Sequence, residues 1–118
     1  MRAKDLLGQQ GEELAASYLV GAGLQILARN WRCKDGEIDI VALDQRVLVV
    51  CEVKTRSGVG FGTPLEAVTR QKALRLRRLA VRWITDRGLI FEQIRIDVVG
   101  VLRTGQGEFR IEHVRGVA

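Results

Sequence analysis

Acidic residues interrupt two apolar runs within residues 36–56, and a lysine follows the second run. Asp39 lies between two isoleucines, and Glu52 comes directly after the apolar run 47–51. Lys54 lies two residues beyond Glu52, so on a pleated strand their side chains point to the same face. Core strands normally exclude such charges, so this combination is a candidate site for metal-dependent hydrolysis of phosphodiesters.

The expected chemistry follows from the charges of these three side chains. If Asp39 and Glu52 meet at about 4 Å, they repel by about 4 kcal/mol at an effective dielectric of about 20, and they need a cation or a shared proton. Oxygen ligands suit Mg²⁺ or Mn²⁺, which polarises a phosphate oxygen and lowers the pKa of a bound water while a lysine orients that water. The alternative is a salt bridge of both acids with Lys54 and nearby arginines at a strand end, and the pattern alone leaves both open.

A third acid belongs to the first predicted helix. Residues 4–22 have apolar side chains at steps of three and four, which is typical of an amphipathic helix. Gly8 and Gly11 weaken a helix interior, so they indicate close packing there. Glu12 lies at the edge of the apolar stripe, so we expect it to face inward and to add a negative charge that a divalent cation would offset.

The remaining segments predict an α/β fold with the order αβββαββ. Strands are expected at 24–32, 37–43, 46–54, 94–102 and 108–114, with turns at Asp35-Gly36 and Asp44-Gln45. A capping box at residues 63–66 predicts the start of the second helix, which would continue to about residue 87. That helix connects the third and fourth strands, so the central sheet should be mixed and flanked by helices. Residues 1–118 are expected to form a single domain.

The second helix carries most of the basic charge. The net charge is +5, and six basic residues without an acid lie between positions 70 and 82. Arg75, Arg78 and Arg82 form a polar stripe, whereas Lys72 falls within the apolar stripe. A localised basic stripe is typical of binding to a polyanion, either nucleic acid or an anionic membrane surface. The alternatives are a solvated face for the arginines and, for Lys72, a stem packed along the core edge.

Several other classes of function are disfavoured by the composition. His113 is the single histidine, and the two cysteines lack metal-site spacing. The glycine-containing loop 57–62 lacks the Gly-Lys-Ser/Thr ending of a phosphate-binding loop. No apolar run is long enough for a membrane span and no signal peptide is recognisable, so we expect a cytoplasmic protein that does not bind membranes.

Taken together, these motifs resemble the YraN-like family of small bacterial proteins. That family is placed in the PD-(D/E)xK restriction-endonuclease-like superfamily, alongside archaeal Holliday junction resolvases. The resemblance covers nearly the whole chain. The motifs that carry it are Gly11-Glu12, Gly36-Glu37-Ile38-Asp39, Glu52-Val53-Lys54 with Arg56, Lys72, and Arg95-Ile96-Asp97-Val98-Val99.

The resemblance implies a restriction-endonuclease-like core and a role for each motif residue. Asp39, Glu52 and the Val53 carbonyl would bind the metal, Lys54 would be the catalytic lysine, and Glu12 would be the helix-borne acid of the resolvases. Two positions depart from the pattern: Ile38 replaces the proline that names the superfamily, and Cys51 stands where an aromatic residue is usual. Two further acids have simpler interpretations, since Asp97 could pair with an arginine and Glu37 could be a solvated strand start.

The sequence thus predicts a Mg²⁺- or Mn²⁺-dependent nuclease that acts on DNA in preference to RNA, with branched or structured DNA among the candidate substrates. The alternative is a catalytically inactive nucleic-acid-binding module with the same fold. The nucleic-acid-binding residues in either case would be Arg56, Lys72, Arg75, Arg78 and Arg82, with the loop 57–62 also contacting the backbone. Whether the chain forms a homodimer, as the resolvases do, is left open.

Overall fold

Two helices enclose a five-stranded mixed sheet. The computed structural model describes residues 2–58, 66 and 68–117. The elements are α1 (Ala3–Gly21), β1 (Gln25–Cys33), β2 (Gly36–Asp44), β3 (Val47–Ser57), α2 (Arg70–Asp86), β4 (Gln93–Arg103) and β5 (Phe109–Val114). The strands follow one another in the order β1-β2-β3-β4-β5, with β3 and β4 parallel and the other neighbours antiparallel. The predicted order αβββαββ and the mixed sheet are therefore confirmed.

The helices cover opposite faces of the sheet, and β3 lies at its centre. Leu48 and Val50 pack into the core beneath α2, whereas Val49 and Cys51 pack into the core beneath α1. All four side chains are fully buried. The alternation of strand side chains therefore explains why the run 47–51 is apolar at every position.

The structure corrects the predicted start of α2. The helix begins at Arg70, and the Thr69 hydroxyl caps it by accepting a hydrogen bond from the Lys72 N–H at 3.1 Å. Residues 63–65 of the predicted capping box lie outside the described residues, as do residues 59–62 of the predicted loop. Glu66 has a 3₁₀ conformation and Val68 lies in a bend, so a capping residue further along the chain sets the helix start.

Both hairpin turns differ by one residue from their predicted positions. The first turn consists of Lys34 and Asp35, and Gly36 is already the first residue of β2, with φ of 147°. The second consists of Gln45, with φ of 57°, and Arg46. The hairpins are confirmed, and Gly36 and Gln45, which have positive φ, both belong to the predicted turn pairs.

A buried polar cluster joins β4, β5 and the chain after β5. The Asp97 side chain is fully buried and accepts hydrogen bonds from Arg95 at 2.8 and 3.0 Å and from the Gly116 N–H at 3.0 Å. His113 Nε2 lies 2.8 Å from Asp97 Oδ2, and Arg95 also donates to Asp44 at 3.0 Å. Burial alone would raise the pKa of Asp97, but these hydrogen bonds outweigh it and hold the pKa below its ordinary value.

Neither helix is long and apolar enough to cross a membrane, as far as the described residues extend.

Candidate active site

Strands β2 and β3 separate at the position of Asp39. Their pairing runs from Asp44–Val47 to Ile40–Cys51 within the described residues, although β2 begins at Gly36 and β3 continues to Ser57. Asp39 is the first β2 residue beyond the pairing, and its Oδ2 accepts a hydrogen bond from the Val53 N–H at 2.9 Å. The side chain of Asp39 thus takes the place of a main-chain acceptor, which fixes its carboxylate between the two strands.

Asp39 and Glu52 lie on the same cavity. It has a volume of about 200 Å³ and is bounded by β2, β3 and α2. The residues that line it are Glu37, Asp39, Glu52, Lys72, Arg75, Leu76 and Leu79. The structure therefore brings together the two acids that the sequence spacing singles out, although they are 13 residues apart in the chain.

Negative charge is in excess around Asp39. Burial and, to a smaller extent, the nearby charges of Glu52, Glu12 and Glu37 together raise the pKa of Asp39 from its usual 3.8 to about 6, against the opposing hydrogen bond from Val53. Glu37 is itself paired with Arg32 at 2.8 Å on the exposed side of the hairpin. A group whose charge is disfavoured in this way is stabilised by a cation placed beside it.

Lys72 supplies one such cation. Its Nζ donates to Glu52 Oε1 at 2.8 Å, and the Glu52 side chain is only 13% exposed. The neighbouring α2 residues Ala73 and Leu76 are buried against the sheet, which directs the Lys72 stem inward. The Lys72 ammonium group therefore meets the strand face that carries Glu52.

Lys54 and Glu12 lie on a different cavity. It has a volume of about 660 Å³ and includes residues of α1 and of the end of β3. Both side chains are partly buried, and neither has a hydrogen-bond or ion-pair partner in the portion of the chain that is described. Arg56 lines the same cavity, near Arg103. Lys54 is not among the residues that line the cavity of Asp39 and Glu52.

The position of α1 over β3 depends on Gly11. A Cβ atom at this residue would overlap the side chain of Thr55. The absence of a side chain therefore lets the helix approach β3 and brings Glu12 to the cavity that contains Lys54. This contact explains the helix-weakening glycine that the sequence places next to Glu12.

The donors around Asp39 fit a hard divalent cation. Within the residues that the structure describes, no three His, Cys, Asp or Glu side chains converge closely enough to hold an ion, so Glu12 does not join the two strand acids in one cluster. Mg²⁺ is nevertheless often held by only one or two carboxylates, with water and substrate phosphate completing its shell. Asp39, Glu52 and the Val53 carbonyl would offer oxygen donors only, and an ion beside Asp39 would offset the burial and the nearby acids that raise its pKa.

The basic stripe of α2 begins at this cavity and continues away from it. Arg75 lines the cavity of Asp39 and Glu52 and also a neighbouring cavity that contains Arg78 and Arg82. Arg82 is paired with Asp35 at 3.0 Å and with Asp86 at 3.7 Å. The predicted nucleic-acid-binding arginines of α2 are therefore aligned, but Arg82 already has acidic partners.

Two residues of these sites were missed by the reasoning from sequence. Asp97 pairs with Arg95, which is the simpler of its two interpretations, but the contribution of His113 was not predicted. A single aspartate within an apolar strand was the signal that could have led to a search for such partners. Asp35 was interpreted only as a turn residue, and its ion pair with Arg82, 47 positions away, has no signal in the sequence.

A five-stranded mixed sheet with one helix on each face, and with two acids where β2 and β3 separate, defines an α/β protein with a candidate cation site. The chain belongs to the uncharacterised protein family UPF0102, whose model matches residues 11–101. This is the YraN-like family that the sequence motifs indicate.

Close relatives extend over almost the whole chain. A UPF0102 protein from a Nocardioides species is 58% identical over 114 residues, which cover 97% of this chain and 92% of the relative. UPF0102 proteins from Beutenbergia cavernae and an Arthrobacter species are 56% and 57% identical over 117 residues, which cover 99% of both chains in each comparison. The chain is therefore similar in length and extent to these relatives.

Proposed function

We propose that this protein is a Mg²⁺- or Mn²⁺-dependent nuclease with a restriction-endonuclease-like core of the PD-(D/E)xK type, and that it hydrolyses phosphodiester bonds in DNA. The observation that carries the proposal is the shared cavity of Asp39 and Glu52 at the separation of β2 and β3. A pair of carboxylates with a raised pKa at one member is what a cation site without its cation is expected to have.

Residues of both cavities have defined parts in this chemistry. Asp39 and Glu52 would hold the ion with the Val53 carbonyl, and the ion would supply charge to a phosphate oxygen and acidity to a water molecule. The Val53 N–H keeps the Asp39 carboxylate in one orientation through its hydrogen bond. Lys72 offsets negative charge at Glu52 and at the phosphate, and Lys54 is the candidate for orienting the attacking water.

A second candidate function is a nucleic-acid-binding module without catalysis. The ion pair between Lys72 and Glu52 favours it, because this contact already neutralises one of the two carboxylates. Calorimetry in the absence of DNA separates the two functions. Saturable binding of Mg²⁺ or Mn²⁺ that is lost in Glu52→Gln supports the nuclease, whereas no binding of either ion, with salt-sensitive DNA binding intact, supports the module.

The direct test is cleavage of labelled nucleic acids with Mn²⁺. The substrates would be duplex, single-stranded, flap and four-way-junction DNA, together with a matched RNA strand. Glu52→Gln and Lys54→Ala should abolish cleavage while circular dichroism shows an unchanged fold. Glu92→Gln and Lys34→Ala, which change exposed charges outside both cavities, should cut like the wild type. Undiminished cutting by Glu52→Gln and Lys54→Ala would reject the proposal.

A further inference from the structure

A second cavity lies beside the Asp39 and Glu52 cavity along α2. It has a volume of about 350 Å³ and is lined by Asp35, Arg75, Arg78, Leu79 and Arg82. Arg75 and Leu79 line both cavities, so the two are neighbours. An extended strand whose scissile phosphate lies at Asp39 and Glu52 would place a neighbouring phosphate in the second cavity.

The second cavity is lined by three arginines, and one of them already has an acidic partner. Arg75 and Arg78 have no hydrogen-bond or ion-pair partner among the described residues. Arg82 donates from a terminal guanidinium nitrogen to Asp35 Oδ2 at 3.0 Å. The carboxylate comes from the turn between β1 and β2 and the arginine from the C-terminal half of α2, so the contact joins two separate elements.

The hairpin is held against this part of α2 by close contacts. A Cβ atom at Gly36 would lie 3.2 Å from Leu79 Cδ1 and 3.3 Å from the guanidinium of Arg75. The glycine therefore allows the hairpin to pack on α2 with Asp35 at the cavity mouth. The position of Asp35 is set by this packing, whereas its ion pair with Arg82 is exposed, with side chains 61% and 40% accessible.

A carboxylate and a phosphate offer arginine the same kind of partner. Both present negatively charged oxygens that accept hydrogen bonds from the guanidinium group. Exposed ion pairs contribute little to stability, so a phosphate can compete with the carboxylate for the arginine. Asp35 therefore occupies a position that suits a phosphate.

We propose that the cavity of Arg75, Arg78 and Arg82 is a phosphate subsite for the strand bound at Asp39 and Glu52, and that Asp35 fills this subsite in the free protein. The inference rests on the proposed binding of nucleic acid, but not on cleavage. Asp35 acts as an internal competitor, because a DNA phosphate can bind Arg82 only when the ion pair between Asp35 and Arg82 is broken. The contact therefore limits how many phosphates the basic stripe of α2 holds.

The test is the salt dependence of duplex DNA binding in EDTA, measured by fluorescence anisotropy. Asp35→Asn leaves Arg82 with only its longer contact to Asp86 at 3.7 Å, so one phosphate contact is added and the dependence of log K on log salt steepens by about 0.9. The loss of affinity between about 50 and 200 mM salt then becomes about 3.5-fold larger than in the wild type. Asparagine suits the turn as well as aspartate does, and Asp35→Ser provides a second turn-compatible variant.

Two further variants separate the subsite from a general effect of charge. Glu92→Gln makes the same change in net charge at an exposed residue outside both cavities, and its salt dependence should match the wild type. In the Arg82→Gln background, Asp35→Asn should have no effect, since the freed cation is absent. The inference would be overturned if Asp35→Asn steepened the salt dependence equally in the wild-type and Arg82→Gln backgrounds. It would also be overturned if neither Asp35→Asn nor Asp35→Ser steepened it.

The outcome is distinguishable from that of the nuclease test. If the protein never cuts DNA but Asp35→Asn steepens the salt dependence of binding, the protein is a binding module that has the phosphate subsite. A protein that cuts DNA without this steepening remains a nuclease and lacks the internal competitor. A protein that shows no salt-sensitive DNA binding in EDTA also lacks the subsite.

Discussion

The ammonium nitrogen of Lys72 lies 2.8 Å from Oε1 of Glu52, and this contact joins α2 to β3 at the candidate cation site. Glu52 thus has a positive partner in the free protein, whereas Asp39, on the same cavity, is held by the N–H of Val53. A divalent cation that binds both acids must share Glu52 with Lys72. The ion pair therefore couples the state of the candidate cation site to the position of a lysine that lines the same cavity.

Lys72→Met is expected to lower the free energy of unfolding by about 1–3 kcal/mol, because it leaves the partly buried Glu52 charge without its partner. The double variant Lys72→Met/Glu52→Gln should recover most of that loss, since the charge is gone. Urea unfolding of the wild type, the two single variants and the double variant gives the coupling free energy between Lys72 and Glu52. Saturating MgCl₂ should stabilise Lys72→Met more than the wild type. Equal losses of unfolding free energy in Lys72→Met and in the double variant would contradict this account.

Asp39→Asn is expected to stabilise the fold above pH 6. The pKa of Asp39 is raised from 3.8 to about 6 by burial and nearby acids, so its ionisation costs folded stability as pH rises through this range. The cost reaches up to about 3 kcal/mol above the upper value, and it vanishes below the lower one. Asparagine keeps an acceptor for the Val53 N–H, so the strand contact survives.

Urea unfolding of wild type and Asp39→Asn at several pH values checks this prediction. The two should be equally stable at pH values below 3.8 and should diverge up to about pH 6. A divalent cation should raise the stability of the wild type but not of the variant. Equal stability of the two proteins at pH 8 would show that the charge of Asp39 is already compensated.

Local pattern was sufficient for the elements and for the pairing of the two acids. Asp39 and Glu52 follow from the alternation of β2 and β3, and Lys72 follows from its place in the helical stripe that contains Ala73 and Leu76. Both periodicities are set by backbone geometry alone, so they can be recognised in a single sequence. The partner of Lys72 is also determined by that geometry, because the helix lies over the face that carries Glu52.

The remaining features depend on contacts between distant segments. The capping box at residues 63–66 predicted an earlier start of α2 than the structure has, because Thr69 provides the cap and the helix begins at Arg70. The ion pair of Arg82 with Asp35 arises only once the hairpin packs on α2. The Asp97 cluster likewise draws on His113 and Gly116, which no periodicity relates to Asp97.

Asp97→Asn is expected to destabilise the fold by about 3 kcal/mol or more near neutral pH, because it leaves the Arg95 charge without its buried partner. The pKa of Asp97 is held below its ordinary value, so the carboxylate contributes stability above the unfolded pKa of about 3.9 and loses it as pH falls below that value. Urea unfolding should therefore show the difference between wild type and variant shrinking in acid. A difference that stays constant down to low pH would exclude an electrostatic origin.

Gly11→Ala is expected to destabilise the protein, although alanine is favoured over glycine in a helix by about 1 kcal/mol. The added Cβ would overlap the side chain of Thr55, so α1 must move away from β3 and displace Glu12. Gly8→Ala is the matched control on the same helix, since a Cβ there has no neighbour within 4 Å, and it should stabilise by about 1 kcal/mol. Thermal unfolding distinguishes the two, and Thr55→Ala should rescue Gly11→Ala because it removes most of the overlapping atoms. Stabilisation by both alanine substitutions would mean that α1 does not need this close approach to β3.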